Sequence, residues 1–175
     1  MIGQKRMTSE EFLTLVEQYP DRRFDFVDGE IVEVSPSILH SRIQALLAAL
    51  LVFYLRDHPQ GLAVHTEALH DLAGTRFIPD VSVNPVGPHA RPYFTEPPLL
   101  AVEIRSDTQS SEAQRRKARD YIAHGTRLVW LILPGESVEV YRPGAPVEVL
   151  TAADMLIGGD VLPGLSLQVR ELLEL

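Results

Sequence analysis

The chain has 175 residues, a formal net charge of −8 and no cysteine. Its length suits one globular domain spanning residues 1–175, and 45% hydrophobic with 23% charged residues excludes a disordered chain. Disulfides, thiol nucleophiles and thiolate metal sites are excluded too, and the acidity argues against a general nucleic-acid binder.

The longest apolar run, within Ile43 to Leu55, is shorter than the roughly 20 residues of a membrane span. Met1 to Met7 lacks the apolar stretch of a signal peptide. A cytoplasmic protein that meets no membrane is expected. The 16 basic residues include only two lysines, Lys5 and Lys117. Genome-wide preference for arginine explains most of that skew but not the retention of Lys117, since ammonium and guanidinium differ in pKa and shape.

In chain order, Thr8-x-x-Glu11 forms a capping box and opens a helix to about Gln18. Phe24 to Ser35 alternates around Asp28-Gly29, a hairpin signal. Apolar residues at helical spacing predict a long helix over Ile38 to Asp57, buried over most of its girth. Strands are predicted over Leu62–Leu72, Phe77–Val83 and Leu99–Arg105, the last nearly continuous in apolar residues and therefore central. Asn84 to Pro98 holds five prolines and is long for a connection; such loops are often functional. Ser111-x-x-Gln114 caps a second helix ending at Gly125, Arg127–Leu133 forms a further strand, and Val138–Arg142 another. The tail reads as short strands with a helical turn near Arg170 to Leu173. The order is helix, three strands, helix, strand, with a core over about 38–133. A mixed α/β sheet follows, in which the strands around the second helix are parallel.

Asp80 and Glu103 interrupt apolar strands. Buried carboxylates are costly unless paired or bound to a cation. Either each meets an arginine at a strand end, or together they hold magnesium or manganese with open water positions. Lys117 lies six residues into the following helix, with Tyr121 one turn on. Its stem can reach the sheet, or it is simply solvated within Arg115-Arg116-Lys117-x-Arg119. Strand alternation puts Arg105 on the face of Glu103, where it neutralises that carboxylate or contacts phosphate. His65 and His70, five apart in one strand, face opposite sides and make poor joint ligands. Trp130 reads as core, and the serines Ser106, Ser110 and Ser111 as turn and cap residues, since no G-x-S-x-G elbow is present.

Pro79-Asp80 followed by an apolar strand bearing Glu103 resembles the PD-(D/E)xK nuclease superfamily, with the same order of core elements. More narrowly, the chain resembles the Uma-two family of restriction-endonuclease-like proteins. The matching residues are Phe26-Val27-Asp28-Gly29-Glu30, Ser35-Pro36, His40, Pro79-Asp80, Leu99 to Ile104, Lys117-x-x-x-Tyr121-x-x-x-Gly125, Val129-Trp130-Leu131 and Leu162-Pro163-Gly164-Leu165. The resemblance implies a restriction-endonuclease-like core with an N-terminal helix and hairpin and extra C-terminal strands. It implies that Asp80, Glu103 and the Ile104 carbonyl ligate Mg2+ or Mn2+. Lys117 stands in for the lysine that the superfamily carries two residues after the glutamate. Glu30 and His40 complete the site, and Tyr121 supports Lys117. His40 shuttles a proton or makes a structural hydrogen bond. Arg105 replaces the family's usual apolar residue, and Asp25 a common glutamate.

The implied activity is metal-dependent endonucleolytic hydrolysis of phosphodiesters, in DNA, by a homodimer. The competing readings are a catalytically idle nuclease-like fold used for binding or assembly, and a hydrolase of small phosphoesters. Residues 105–127 carry six basic and three acidic residues. The positive stretch thus follows Glu103, where a phosphate backbone would approach.

Overall fold

The computed structural model describes the chain apart from residues 1–6, 19–22, 28–29, 35–36, 73, 89–90 and 107–108, and apart from several side chains in the first helix and hairpin. Helix α1 (Ser9–Gln18) starts at the expected capping box. The Thr8 N–H donates to Glu11 Oε2 at 2.8 Å, and the Glu11 N–H to Thr8 Oγ1 at 3.2 Å. Strands β1 (Arg23–Val27) and β2 (Glu30–Val34) pair antiparallel around Asp28-Gly29, a turn that lies outside the described residues.

Helix α2 (Ile38–Asp57) has Ser37 as N-cap, its hydroxyl accepting from the His40 N–H at 3.1 Å. It turns Ile43, Leu47 and Leu51 into the core, yet Ile38, Val52 and Phe53 stay exposed. It is therefore buried along a stripe, not over most of its girth as expected. Its 20 residues, with a mean hydropathy of 1.7 over the most apolar window, are long and apolar enough to cross a membrane by composition. The shorter run read from the sequence understated this. Its inner stripe is the observation that makes it a core helix.

Two predicted strands are broken. Leu62–Leu72 divides into β3 (Leu62–Thr66) and β4 (His70–Leu72). The break is Glu67, whose φ of 55° takes it into the left-handed region that few non-glycine residues adopt. Phe77–Val83 divides into β5 (Thr75–Phe77) and β6 (Val81–Pro85). Pro79, without an amide hydrogen, cannot continue a ladder. Asp80 thus stands immediately before a strand rather than inside one.

Then come β7 (Leu100–Ile104), α3 (Ser111–Ala123), β8 (Leu128–Leu133) and β9 (Ser137–Tyr141). The C-terminal elements are β10 (Glu148–Leu150), β11 (Met155–Ile157), β12 (Ser166–Gln168) and α4 (Arg170–Leu173). The main sheet runs β10-β9-β8-β7-β6-β3. Strands β7 and β8 are its parallel pair, as the intervening helix requires. The cap of α3 is Ser110, one residue earlier than expected, its hydroxyl accepting from the Ala113 N–H at 3.1 Å. The helix stops at Gly125, whose φ of 101° suits a C′ glycine.

Alternation along β7 divides the core. Leu100, Val102 and Ile104 pack with Ile43, Leu47 and Leu51 of α2 and with Leu162 and Val169 of the tail. Ala101 packs on the other face with Ala118, Tyr121, Val129 and Leu131. The sheet is therefore sandwiched between α2 and α3, and Trp130 is fully buried in it as expected.

Packing density makes one glycine testable. A Cβ on Gly158 would lie 2.4 Å from the Leu162 carbonyl oxygen, whereas one on Gly87 meets nothing within 4 Å. Gly158→Ala is expected to lower stability by about 1–3 kcal/mol in urea titration, and Gly87→Ala by less than about 0.5 kcal/mol.

Candidate active site

Glu103 sits on β7, on the face that meets α3. A carboxylate only 3% exposed needs partners, and α3 supplies them. Lys117 Nζ donates to Glu103 Oε2 at 2.8 Å, and the Tyr121 hydroxyl donates to Oε1 at 2.7 Å. Lys117 is itself 4% exposed, so it reaches the sheet and is not solvated. Its one-turn spacing from Tyr121 lets both groups meet a single carboxylate. The two oxygens are thus oriented from one rigid helix. The Tyr121 hydroxyl holds the same carboxylate that Lys117 meets.

Asp80 is the second carboxylate. Strands β6 and β7 pair Val81 with Val102, so the same register puts Asp80 opposite Glu103. Asp80 Oδ2 accepts the Ile104 N–H at 2.7 Å and lies 3.2 Å from His40 Nε2. Burial pushes its carboxyl up. The hydrogen bond and charge of His40, the charge of Lys117 and the Ile104 N–H outweigh that and hold it below the usual range. Among the described residues the partners are Lys117 for Glu103 and His40 for Asp80, not the arginines first considered at the strand ends.

His40 is 1% exposed, and its Nδ1 has no hydrogen-bond partner. Such a group is costly unless something reaches it. Gln44, one turn further along α2, donates from Nε2 to the Asp80 carbonyl at 3.0 Å and to Glu67 Oε1 at 3.2 Å. The Glu67 N–H in turn donates to the Pro79 carbonyl at 3.2 Å. Gln44 and Glu67 therefore brace the Pro79-Asp80 segment, a role missed from the sequence. The signal, a left-handed Glu67, is a backbone property that residue types do not announce.

Arg105 does not neutralise Glu103. The regular strand ends at Ile104, and Arg105 donates to Ser111 Oγ at 2.8 Å and pairs with Glu136 at 2.6 Å. The Glu30 side chain lies outside the described residues. The expectation that His65 and His70 face apart fails, because the break at Glu67 sets them on separate strands. Both approach Asn84: His70 Nε2 lies 3.0 Å from Asn84 Oδ1, and Asn84 Nδ2 lies 3.3 Å from His65 Nδ1. Phe94 of the proline-rich loop stacks on His70. That loop also lines a cavity of about 380 Å³ at the opposite end of β6 from Asp80.

Among the described residues no three histidine or acidic side chains form a ready-made metal cage. Two carboxylates with open positions still fit a hard divalent cation. Magnesium is commonly held by one or two carboxylates, with water and substrate phosphate supplying the rest.

A family model described as "Putative restriction endonuclease", Uma2, matches residues 9–170. The fold matches the crystal structure of a putative nuclease belonging to DUF820 from Anabaena variabilis, with a TM-score of 0.84 and 24% identity. That match covers 96% of this chain and 98% of the other. A cryoEM structure of a DrdV–DNA complex matches with a TM-score of 0.47 and 14% identity, over 95% of this chain and 13% of that one. No curated protein gives a significant match.

The face that carries Glu103 holds a further buried carboxylate, Glu139 on β9. It pairs with Arg115 of α3 at 2.7 Å and accepts the Tyr141 hydroxyl at 2.6 Å. Burial raises its pKa, but Arg115 and Tyr141 bring it below the ordinary value of 4.5. A depressed folded pKa stabilises above the unfolded value and loses that contribution as pH falls through the folded one. Glu139→Gln is expected to lower the melting temperature at pH 7, and the gap to wild type should close as pH falls below 4.5. Equal gaps at pH 7 and pH 3 would contradict the assignment.

Proposed function

Because the chain belongs to the Uma2 family of putative restriction endonucleases, we propose that it is a metal-dependent endonuclease hydrolysing phosphodiester bonds in DNA. One observation carries the reading: a buried ammonium, two buried carboxylates and a histidine converge from β6, β7, α3 and α2 at one end of the sheet. Asp80 and Glu103, with the Ile104 carbonyl, would hold Mg2+ or Mn2+. When bound, the ion supplies Lewis acidity and a water of lowered pKa.

The chain's own groups do the rest. Tyr121 fixes the rotamer of Glu103, and the Ile104 N–H fixes Asp80. Lys117 offers a positive charge and N–H donors to the attacking water or to the charge developing on the phosphoryl oxygens. His40, with Nε2 on Asp80 and Nδ1 unoccupied, is suited to accept or relay a proton. Glu30 completes the set by resemblance alone. A homodimer in the cytoplasm belongs to the same reading.

One observation favours the alternative of a catalytically idle fold. Glu103 already accepts from two donors, and Asp80 is already paired, so both carboxylates have partners without a cation. Against it, Arg105 turns to Glu136 and not to Glu103.

Plasmid and linear DNA, with RNA in parallel, should be cut only when Mg2+ or Mn2+ is supplied. Asp80→Ala and Glu103→Ala are expected to abolish cutting, and Lys117→Ala to slow it by about 10²–10³-fold. Cutting by Asp80→Ala at the wild-type rate, or none by wild type with ample metal, would refute the enzyme. Calorimetric metal binding that both carboxylate variants lose would separate it from the idle fold.

A further inference from the structure

Among the described residues every backbone position with positive φ is a glycine except one, Glu67, with a φ of 55°. Seven glycines occupy the others, so this chain ordinarily meets a left-handed turn with the residue that suits it. Glutamate is strained there, because its Cβ crowds the following carbonyl. The backbone bonds at this position do not call for it. The Glu67 N–H donates to the Pro79 carbonyl at 3.2 Å and to the Asp80 carbonyl at 3.4 Å, and a glycine N–H would do the same. Packing offers no reason either, since Glu67 is exposed. What glutamate adds is a carboxylate, and a strained residue kept beside a site points to a use for it.

That carboxylate meets Gln44. Gln44 Nε2 carries two hydrogens, one donated to Glu67 Oε1 at 3.2 Å and one to the Asp80 carbonyl at 3.0 Å. Turned over, the amide would set its own oxygen against two acceptors. The Glu67 carboxylate therefore fixes which way Gln44 points. Gln44 lies one turn beyond His40 on α2. Asp80 is thus held at its carbonyl by Gln44 and the Glu67 N–H, and at its carboxylate by His40 and the Ile104 N–H. The carbonyl contacts set the direction in which the side chain leaves the backbone.

Resting on the nuclease reading above, we propose that Glu67 is a positioning residue of the cation site. Its carboxylate orients the Gln44 amide, that amide orients the Asp80 backbone, and the backbone aims the Asp80 carboxylate into the site. The left-handed backbone is the strain tolerated to keep the carboxylate in place. Stability and ion binding therefore pull against each other at this residue.

The test reads three quantities: Mn2+ affinity by calorimetry, melting temperature, and metal-free exchange of the Ile104 amide, whose hydrogen Asp80 Oδ2 accepts at 2.7 Å. Glu67→Gly should bind Mn2+ about 10–100-fold more weakly, as is typical when a group that orients a ligand is lost. Its Ile104 amide should exchange several-fold faster relative to the other β7 amides. It should melt no lower than wild type, since glycine relieves the left-handed backbone. Glu67→Gln keeps an acceptor oxygen and should recover most of the affinity. Adding Glu67→Gly to Gln44→Ala should weaken binding no further than Gln44→Ala alone, because both act through one contact. Wild-type affinity and exchange in Glu67→Gly, or a melting temperature that falls with them, overturns the proposal. If wild type binds no Mn2+, the metal-dependent reading fails and the Ile104 exchange alone decides the positioning role. If wild type binds Mn2+ and the variants shift as expected but no DNA is cut, the endonuclease reading fails and the positioning role stands.

Discussion

The ion pair between Glu103 and Lys117 is the constraint around which the molecule is arranged. Moving a carboxylate and an ammonium out of water costs several kcal/mol per ion after relaxation. Their mutual attraction offsets this only when the geometry is good and the remaining lone pairs find donors. Tyr121 supplies that donor for Glu103. The arrangement requires α3 to lie with one face fixed over β7, and the parallel β7–β8 crossover fixes it there. Ala118, between the two site residues, is fully buried and lets the helix approach closely. A well-packed apolar trio would be as stable or more so. The presence of charge at this point is therefore better explained by what the charge does than by stability.

Asp80 solves the same problem differently. It stands one residue outside β6, where Pro79 has ended the preceding strand, and so can accept a backbone donor that the ladder leaves over. The Ile104 N–H at the other strand's end is that donor. Gln44 and the left-handed Glu67 then hold the Asp80 backbone from α2 and from the end of β3. Three layers meet at this residue, so His40 from one face and Lys117 from the other both act on its carboxyl. Neither helix alone would make the site.

Much of this was legible in the residues. The capping box of α1, the long helix, the apolar β7 and β8 and their crossover followed from pattern and cap chemistry. Asp80 and Glu103 were visible because a carboxylate inside apolar sequence is conspicuous, and Lys117 because lysine is rare here. What pattern could not provide was how strands end. Glu67 and Pro79 break two runs that read as continuous, and those breaks put His65 beside His70 and Asp80 at a strand's mouth. The fate of Arg105 was also hidden. Strand alternation assigned it to the face of Glu103, but the strand stops one residue earlier. The exposure of Val52 and Phe53 escaped composition for a related reason, since an apolar girth says which faces can be buried, not which are.

The closed hydrogen-bond set sets a physical limit on how the site can work. Both oxygens of Glu103 accept donors, so a cation drawn to this carboxylate competes with Lys117 for the same negative charge. The one ammonium already offsets one of the two carboxylates. On the endonuclease reading, such a site would hold a divalent ion weakly by itself and more firmly once a phosphate added its own negative oxygens. On the same reading, Lys117 displaced from Glu103 would turn to the incoming phosphate, with Asp80 also close enough to feel its charge. Affinity for the ion and for the phosphate are then coupled, each raising the other by the same factor. On that reading an acidic protein would avoid tight, indiscriminate binding to nucleic acid and keep its positive charge for the moment when both ligands are present.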